Sequence, residues 1–267
     1  VKERAVVEEQ IRDYLERYLE IEDLLQKKHV FVNPLGEDNI VSTYEEVEQA
    51  ASKVLEKWKL GLNPIPNVVE TLEDNSICVL VIPAPDSFAG LATWVGDLPV
   101  VVINSEHSVD RRRFTALHEL AHLVLKINIE DEKECERFCH RFANAMLLPR
   151  EVALRELGDV RSNISFGELC SIKKQHGISI QAIMRRAYDL NIINESQFRY
   201  FCIKMSPHRK EESFSRFDFE GETKSSYRFE QMLLRLVSEN IVTESKAASL
   251  GGISVSELRE KLDPVEA

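Results

Sequence analysis

Residues 111–127 read RRRFTALHELAHLVLKI, and this stretch decides the fold because it predicts a long helix that carries chemistry. Its apolar residues recur at the three- and four-residue spacing of one helix face, and it contains no glycine or proline. Asp110 precedes the stretch and is a candidate N-cap. We therefore expect an amphipathic helix that begins near residue 110 and packs one face against a core.

The centre of this helix holds the pattern H-E-x-x-H, formed by His118, Glu119 and His122. The two histidines are four residues apart, so both rings project from one face and can bind the same metal ion. Glu119 lies about 100° around the helix, where its carboxylate can take a proton from a water that the metal activates. The pattern predicts a hydrolytic site with one Zn²⁺ per chain, His118 and His122 as metal ligands and Glu119 as the catalytic base.

Composition narrows the class of protein. The chain has 267 residues and a net charge of −11, which argues against direct nucleic-acid binding by this chain. No run of 18 apolar residues is present, so we expect no membrane partner. Five cysteines, an odd number, favour a reducing cytoplasm over a disulfide framework. The chain begins with Val1 rather than Met, from which we expect that upstream residues were removed.

Three short apolar runs precede the motif helix, at residues 77–82, 89–95 and 100–104, and predict a small three-stranded sheet. The remaining patterns are helical. We expect an α+β fold: a mostly helical, zincin-like peptidase core with this sheet, followed by a helical C-terminal region. The predicted segments are an N-terminal helical segment and linker (1–42), a zinc metallopeptidase domain (43–205), a flexible polar linker (206–226) and the C-terminal helical region (227–267).

A hydrolytic zinc site needs a third protein ligand and one open position for water. The next helix and the acidic segment before it supply the candidates Glu132, Glu134, Cys135, Glu136, Cys139 and His140. A carboxylate would leave the metal a stronger Lewis acid than two thiolates would. Spacing alone does not choose among them.

Two blocks of sequence, RRFTALHELAHL at 112–123 and ERFCHRFANAMLLP at 136–149, resemble the ImmA/IrrE family of zinc metallo-endopeptidases. The resemblance covers about residues 45–200 and implies that Glu136 is the third ligand. His140 occupies a position where the family often has Asn, and it is a candidate accessory ligand, a supporting group behind the ligands or the oxyanion donor. His107 is the other candidate oxyanion donor near the motif.

The resemblance also implies a substrate and its binding mode. The strand that ends at Asn104, with Val102 inside it, is expected to be an edge strand to which a substrate peptide adds through main-chain hydrogen bonds. Members of the family cut regulatory proteins, typically a repressor, and so control stress-response or mobile-element genes. Longer members carry a helix-turn-helix domain upstream of the peptidase; none is visible in this chain.

A different class of function remains open. The chain could be a non-catalytic regulator or a toxin–antitoxin component that binds a partner protein or DNA, with zinc structural or absent. Residues 248–254 and 176–179 have the spacing of helix-turn-helix motifs. The first is followed by Val255, Ser256 and Glu257, which are poor readers of base edges. We therefore interpret both motifs as packed helical hairpins.

Overall fold

The computed structural model describes residues 2–27, 30–206, 212–221 and 226–263. Its α-helices are α1 (Lys2–Leu24), α2 (Tyr44–Lys57), α3 (Val68–Asp74), α4 (Val109–Val124), α5 (Glu132–Leu147), α6 (Arg150–Leu157), α7 (Phe166–His176), α8 (Ile180–Asp189), α9 (Glu195–Met205), α10 (Tyr227–Ser238), α11 (Glu244–Gly251) and α12 (Val255–Leu262). Its strands are β1 (Ile40–Val41), β2 (Cys78–Ile82), β3 (Gly90–Val95), β4 (Leu98–Asn104) and β5 (Lys126–Ile127). The mostly helical α+β fold with a small three-stranded sheet is confirmed.

The three-stranded sheet has the order β2-β4-β3, with β2 parallel and β3 antiparallel to β4. The central strand is therefore β4, and the prediction that Val102 and Asn104 lie on a substrate-binding edge strand is wrong. Both residues are fully buried, and both sides of their strand are already paired. Asn104 instead fixes the loop before β3, because its side-chain amide donates to the carbonyls of Ala84 and Phe88 at 2.9 and 3.0 Å.

One face of this sheet packs against α4. Side chains alternate along a strand, so Val79 of β2 and Val101 and Ile103 of β4 point to the same side. They join a core with Leu117 and Leu120 of α4, and this core continues into α2, α5 and α8. The motif helix is thus held between the sheet and the following helices.

The opposite face of the sheet is covered by both ends of the described chain. Leu80 of β2 and Val102 of β4 belong to a second core with Ile21 of α1, Leu236 of α10 and Leu250 of α11. The N-terminal helix and the C-terminal helices therefore pack together behind the sheet, on the side away from α4. Nothing in this arrangement assigns the boundaries of separate domains, which stay a prediction.

Part of the segment that the sequence predicts as a flexible linker packs on the core. Residues 207–211 and 222–225 of that segment lie outside the described residues. Between them is a 3₁₀ helix (Glu212–Phe217), followed by Asp218, which pairs with the buried amine of Lys173 at 2.9 Å. The ring of Phe219 lies 4.3 Å from the guanidinium carbon of Arg113 in α4. Residues 218–219 thus contact the N-terminal half of the motif helix and α7.

Both helix-turn-helix look-alikes are helical hairpins. Gly177 and Gly252 adopt left-handed backbone conformations that end α7 and α11, with φ of 62° and 65°. Arg186, on the helix after the first turn, is fully buried against Glu48 and so is withdrawn from any nucleic acid. Within the described part of the chain, no helix combines the length and apolar character that a bilayer crossing requires.

Candidate metal centre

Two neighbouring helices, α4 and α5, carry the predicted ligands. Helix α4 begins after Ser108, whose side chain makes no capping bond; the expected cap Asp110 lies buried and pairs with Lys173 at 3.1 Å. Helix α5 begins after Asp131, whose carboxylate accepts from the amide of Lys133 at 2.9 Å. The two helices pack against each other, so residues from different parts of the sequence meet at one place.

Donor atoms of three side chains converge between these helices. Nε2 of His118 lies 3.2 Å from Oε2 of Glu136, and Nε2 of His122 lies 3.5 Å from Oε1 of the same carboxylate. The two imidazole nitrogens are 3.2 Å apart. Of the six candidate third ligands, Glu136 is therefore the one that lies against both motif histidines.

These separations fit the donor set of a zinc site. Ligand atoms about 2.0–2.1 Å from a tetrahedral zinc ion lie roughly 3.3–3.4 Å from one another. The donor atoms of these three side chains lie 3.2–3.5 Å apart, close to that spacing. Burial, followed by the neighbouring His140 and His122, lowers the pKa of His118 to about 3. His118 is thus neutral near pH 7, the form that can donate a lone pair to a metal.

His140 also lies beside the candidate ligands. Ligand atoms of His118, Glu136 and His140 all fall within 4.8 Å of one another, and the rings of His118 and His140 have centroids 4.7 Å apart. The ring of Phe114 contacts both imidazole rings, that of His118 on α4 and that of His140 on α5. The structure thus brings His140 to the site, where an accessory ligand or an oxyanion donor would stand.

Glu119 lies on the buried side of α4, next to the sheet. Only 9 % of its surface is exposed. Burial and the charge of Glu136 raise the pKa of Glu119 to about 7, although a hydrogen bond from the backbone amide of Ala92 acts in the opposite direction. A carboxyl group whose pKa is near 7 is well matched to proton transfer at neutral pH.

His107 does not join this group. Its Nε2 lies 3.2 Å from Oδ1 of Asp86 and 3.4 Å from the side-chain amide of Asn104, at the turn between β4 and α4. The reason is topological: His107 precedes the first turn of α4, about 11 residues or roughly 16 Å of helix rise before His118. The structure therefore gives no support to His107 as an oxyanion donor.

Two further contacts bear on the site: Cys139 was a candidate third ligand, whereas nothing in the sequence indicated Gly90. Sγ of Cys139 lies 3.7 Å from Nδ1 of His122, and Gly90 of β3 approaches α4 so closely that an added Cβ would lie 3.1 Å from Oε1 of Glu119. The i, i+3 spacing of Glu136 and Cys139 places them on neighbouring positions of α5 and was a usable signal for the first contact. No local pattern marks the second, because β3 and α4 meet only in the folded chain.

A helix-borne H-E-x-x-H pattern, a carboxylate from the next helix and a buried glutamate form the arrangement expected of a metallopeptidase. Residues 79–188, which include β2 to β4, α4 and α5, match the family model of the IrrE N-terminal-like domain, Peptidase_M78. The resemblance to the ImmA/IrrE family is thereby confirmed over these residues, and the class implies a metal ion and a protein substrate. A comparison with curated proteins found no significant match to the chain.

Proposed function

We propose that the chain is a zinc-dependent endopeptidase that makes limited, specific cuts in a regulatory protein such as a transcriptional repressor. The observation that carries the proposal is the convergence of His118, His122 and Glu136 beside the buried Glu119. The family match supports peptide hydrolysis, and the resemblance supports a regulatory substrate. Each of the five cysteines is a free thiol, which supports a reducing cytoplasm as the site of action.

The three convergent side chains would hold one zinc ion. A zinc ion, when bound, supplies a Lewis acid that polarises a peptide carbonyl and lowers the pKa of a water molecule. His118 and His122 contribute neutral nitrogen donors from one helix, while Glu136 contributes a negative oxygen donor from the other. With three protein ligands, one position stays available to water and substrate, as hydrolysis requires.

Glu119 would move the proton. Its carboxylate accepts a proton from the attacking water and then delivers it to the nitrogen of the leaving amine, so the peptide C–N bond breaks without releasing a free amide anion. The buried position beside β3 keeps the carboxyl away from bulk water and holds its pKa near neutrality. His140 is the candidate donor to the oxygen of the scissile carbonyl, because it lies beside His118 and Glu136.

Strand β3, rather than β4, would pair with the substrate. It is the outer strand next to α4 among the described residues. The amide of Asn104 donates to the carbonyl of Ala89, so position 89 faces β4, and by alternation residues 90, 92 and 94 face away from it. Pro99, which has no N–H, stands opposite Trp94 and agrees with this alternation. A substrate peptide can therefore add to this edge through main-chain hydrogen bonds.

The test is a comparison of cleavage products. Zinc-loaded wild-type protein and the Glu119→Gln variant are each incubated with repressors encoded near the gene and with total cell protein, and new N-termini are identified by mass spectrometry. We expect one or a few new termini on a regulatory protein with the wild type and none with the variant. Broad degradation would contradict limited proteolysis. Equal cleavage by both proteins, or none by a wild type with one zinc per chain, would refute the proposed activity.

The rival function is a non-catalytic regulator with a structural metal. The observation that favours it is the proximity of His140 to His118 and Glu136, since a fourth protein ligand would close the site. X-ray absorption spectroscopy of the zinc-loaded protein separates the two. Two histidines, one carboxylate and one water around zinc support the peptidase, whereas three histidines and no water support the regulator.

A further inference from the structure

Strand β3 makes a direct contact with the proposed base. The backbone amide of Ala92 lies near the carboxylate of Glu119 and, as a hydrogen-bond donor, lowers the pKa of that carboxyl group. Ala92 is one of the residues of β3 that face away from β4, so this N–H is not part of the sheet ladder. This edge amide is therefore directed at the side chain of α4, which leaves the outward-facing main-chain groups of residues 90 and 94 for a substrate peptide.

Gly90 makes this contact sterically feasible. A Cβ at this position would lie 2.5 Å from Cγ2 of Thr115 and 2.8 Å from the carbonyl oxygen of Val102, as well as 3.1 Å from Oε1 of Glu119. The strand is thus pressed between the backbone of β4 and the buried side of α4. Any side chain at position 90 would push β3 away from the helix and lengthen the bond two residues further along the strand.

We infer that β3 positions the general base: Gly90 allows the strand to reach α4, and the amide of Ala92 holds the carboxylate of Glu119 in a fixed orientation. Both are positioning residues, since they act through Glu119 and touch no reacting atom. The inference rests on the proposed role of Glu119. It also links two tasks of one strand, because the edge that would bind the substrate is the edge that orients the base.

The contact has a consequence for proton transfer. A carboxylate has two oxygens and about four acceptor sites, so one amide bond fixes the group and leaves acceptor capacity for water. A glutamate side chain has three rotatable bonds before its carboxylate. If the side chain is already fixed, its conformational entropy is not lost in the reaction step itself. We therefore assign to the backbone amide of Ala92 the task of orienting the Glu119 carboxylate, which a hydrogen-bonding side chain could otherwise perform.

Amide hydrogen exchange tests the contact directly. Exchange of the Ala92 amide is measured by NMR in the metal-free wild type, Glu119→Gln and Glu119→Ala. We expect slow exchange in the wild type and roughly 10- to 100-fold faster exchange in Glu119→Ala, which has lost a charged acceptor. Glu119→Gln keeps a carbonyl oxygen as acceptor and should retain part of the protection. The amides of Leu91 and Thr93, which face β4, serve as internal controls for an intact sheet.

A second measurement leaves Glu119 unchanged. Proline at position 92 removes the N–H at an outward-facing edge position, where no ladder bond is lost. The side-chain carboxyl ¹³C resonance of Glu119 should shift in Ala92→Pro, while that of Glu134 on the surface of α5 should not. Equal Ala92 exchange in the wild type and Glu119→Ala, or an unmoved Glu119 resonance in Ala92→Pro, would overturn the inference. Neither measurement uses zinc or substrate. Failure of this inference can therefore be distinguished from failure of the proposed activity.

Discussion

Nδ1 of His122 lies 3.7 Å from Sγ of Cys139, on the side of the imidazole ring opposite the nitrogen that faces Glu136. Cys139 is fully buried, and burial, followed by the charge of Glu136, raises the pKa of its thiol to about 12. The sulfur is therefore a neutral thiol that can accept a hydrogen bond from Nδ1–H. When Nδ1 carries the proton, Nε2 presents its lone pair to a metal, so this contact favours the binding tautomer of His122.

Replacing Cys139 with alanine should weaken zinc binding without abolishing it. Loss of a group that supports a histidine ligand typically costs 10- to 100-fold in metal affinity, and a thiol is a weak acceptor, so we expect about tenfold. Competition with a chromophoric chelator measures the change. The matched control is Cys135→Ala on the same helix, because the thiol of Cys135 donates to the carbonyl of Ile129 instead. Equal affinity of both variants and the wild type would contradict the role of Cys139.

Glu136→Gln should lower zinc affinity by more than about 100-fold, since it removes a ligand rather than a group behind one. An amide oxygen carries no charge and donates poorly to zinc. Glu134→Gln is the control: that carboxylate binds Tyr44 at 2.6 Å and Arg137 at 2.7 Å, away from the motif histidines. If the two variants bind zinc equally well, then Glu136 is not a ligand and the choice among the candidates on α5 reopens.

Much of the site could be predicted because its signals are local. The spacing of His118 and His122 on one helix follows from helical geometry, and the three strands lie within two residues of the predicted runs. The prediction that β4 is the edge strand was wrong, and the hydrophobic patterns of β4 and β3 explain why. The run PVVVI in β4 is continuously apolar, as expected for a strand buried on both faces, whereas GLATWV in β3 leaves Leu91 and Trp94 nearly half exposed.

Long-range contacts could not be predicted from local pattern. Arg111, Arg112 and Arg113 place positive charge at the N-terminus of α4, which the helix dipole alone makes unfavourable. In the fold, the guanidinium of Arg113 donates to the carbonyls of Ile65 and Gly177 at 2.7 and 3.2 Å, from parts of the chain 48 and 64 residues away. Arg113 is thus fully buried and ties two loops to the motif helix. Only the folded topology brings those carbonyls together.

Gly90→Ala should destabilise the protein by about 1–3 kcal/mol, the usual cost of overpacking a tight site. The added methyl group would meet Cγ2 of Thr115 at 2.5 Å and the carbonyl oxygen of Val102 at 2.8 Å, and the latter is backbone that moves only with the sheet. Urea unfolding of the metal-free protein measures the change. In the control Gly167→Ala, the nearest atom is Oγ of Ser165 at 3.9 Å, so that variant should be neutral or slightly more stable. Equal stability of the two variants would show that β3 can move away from α4 at little cost.

Glu48→Gln should destabilise the protein by about 3–5 kcal/mol, because it leaves buried cations without their partner. Burial raises the pKa of Glu48, but its hydrogen bonds and ion pairs with Arg186 and Arg141 outweigh burial and hold the pKa below its ordinary value. The control is Glu45→Gln on the same helix, whose pair with Arg150 is exposed and should contribute about 0–1 kcal/mol.

The same cluster predicts how stability depends on pH. A carboxyl group with a depressed folded-state pKa binds fewer protons in the folded than in the unfolded chain, so stability rises with pH across that interval. The contribution of Glu48 is therefore complete above its ordinary pKa of 4.5 and is lost as the pH falls through the lower folded-state value. Urea midpoints measured from pH 6 down to pH 3 should fall less steeply in Glu48→Gln than in the wild type. Parallel curves would show that folding leaves the pKa of Glu48 unchanged. A wild-type curve that falls less steeply than that of Glu48→Gln would show that Glu48 stays protonated in the folded protein and joins α2, α5 and α8 through neutral hydrogen bonds.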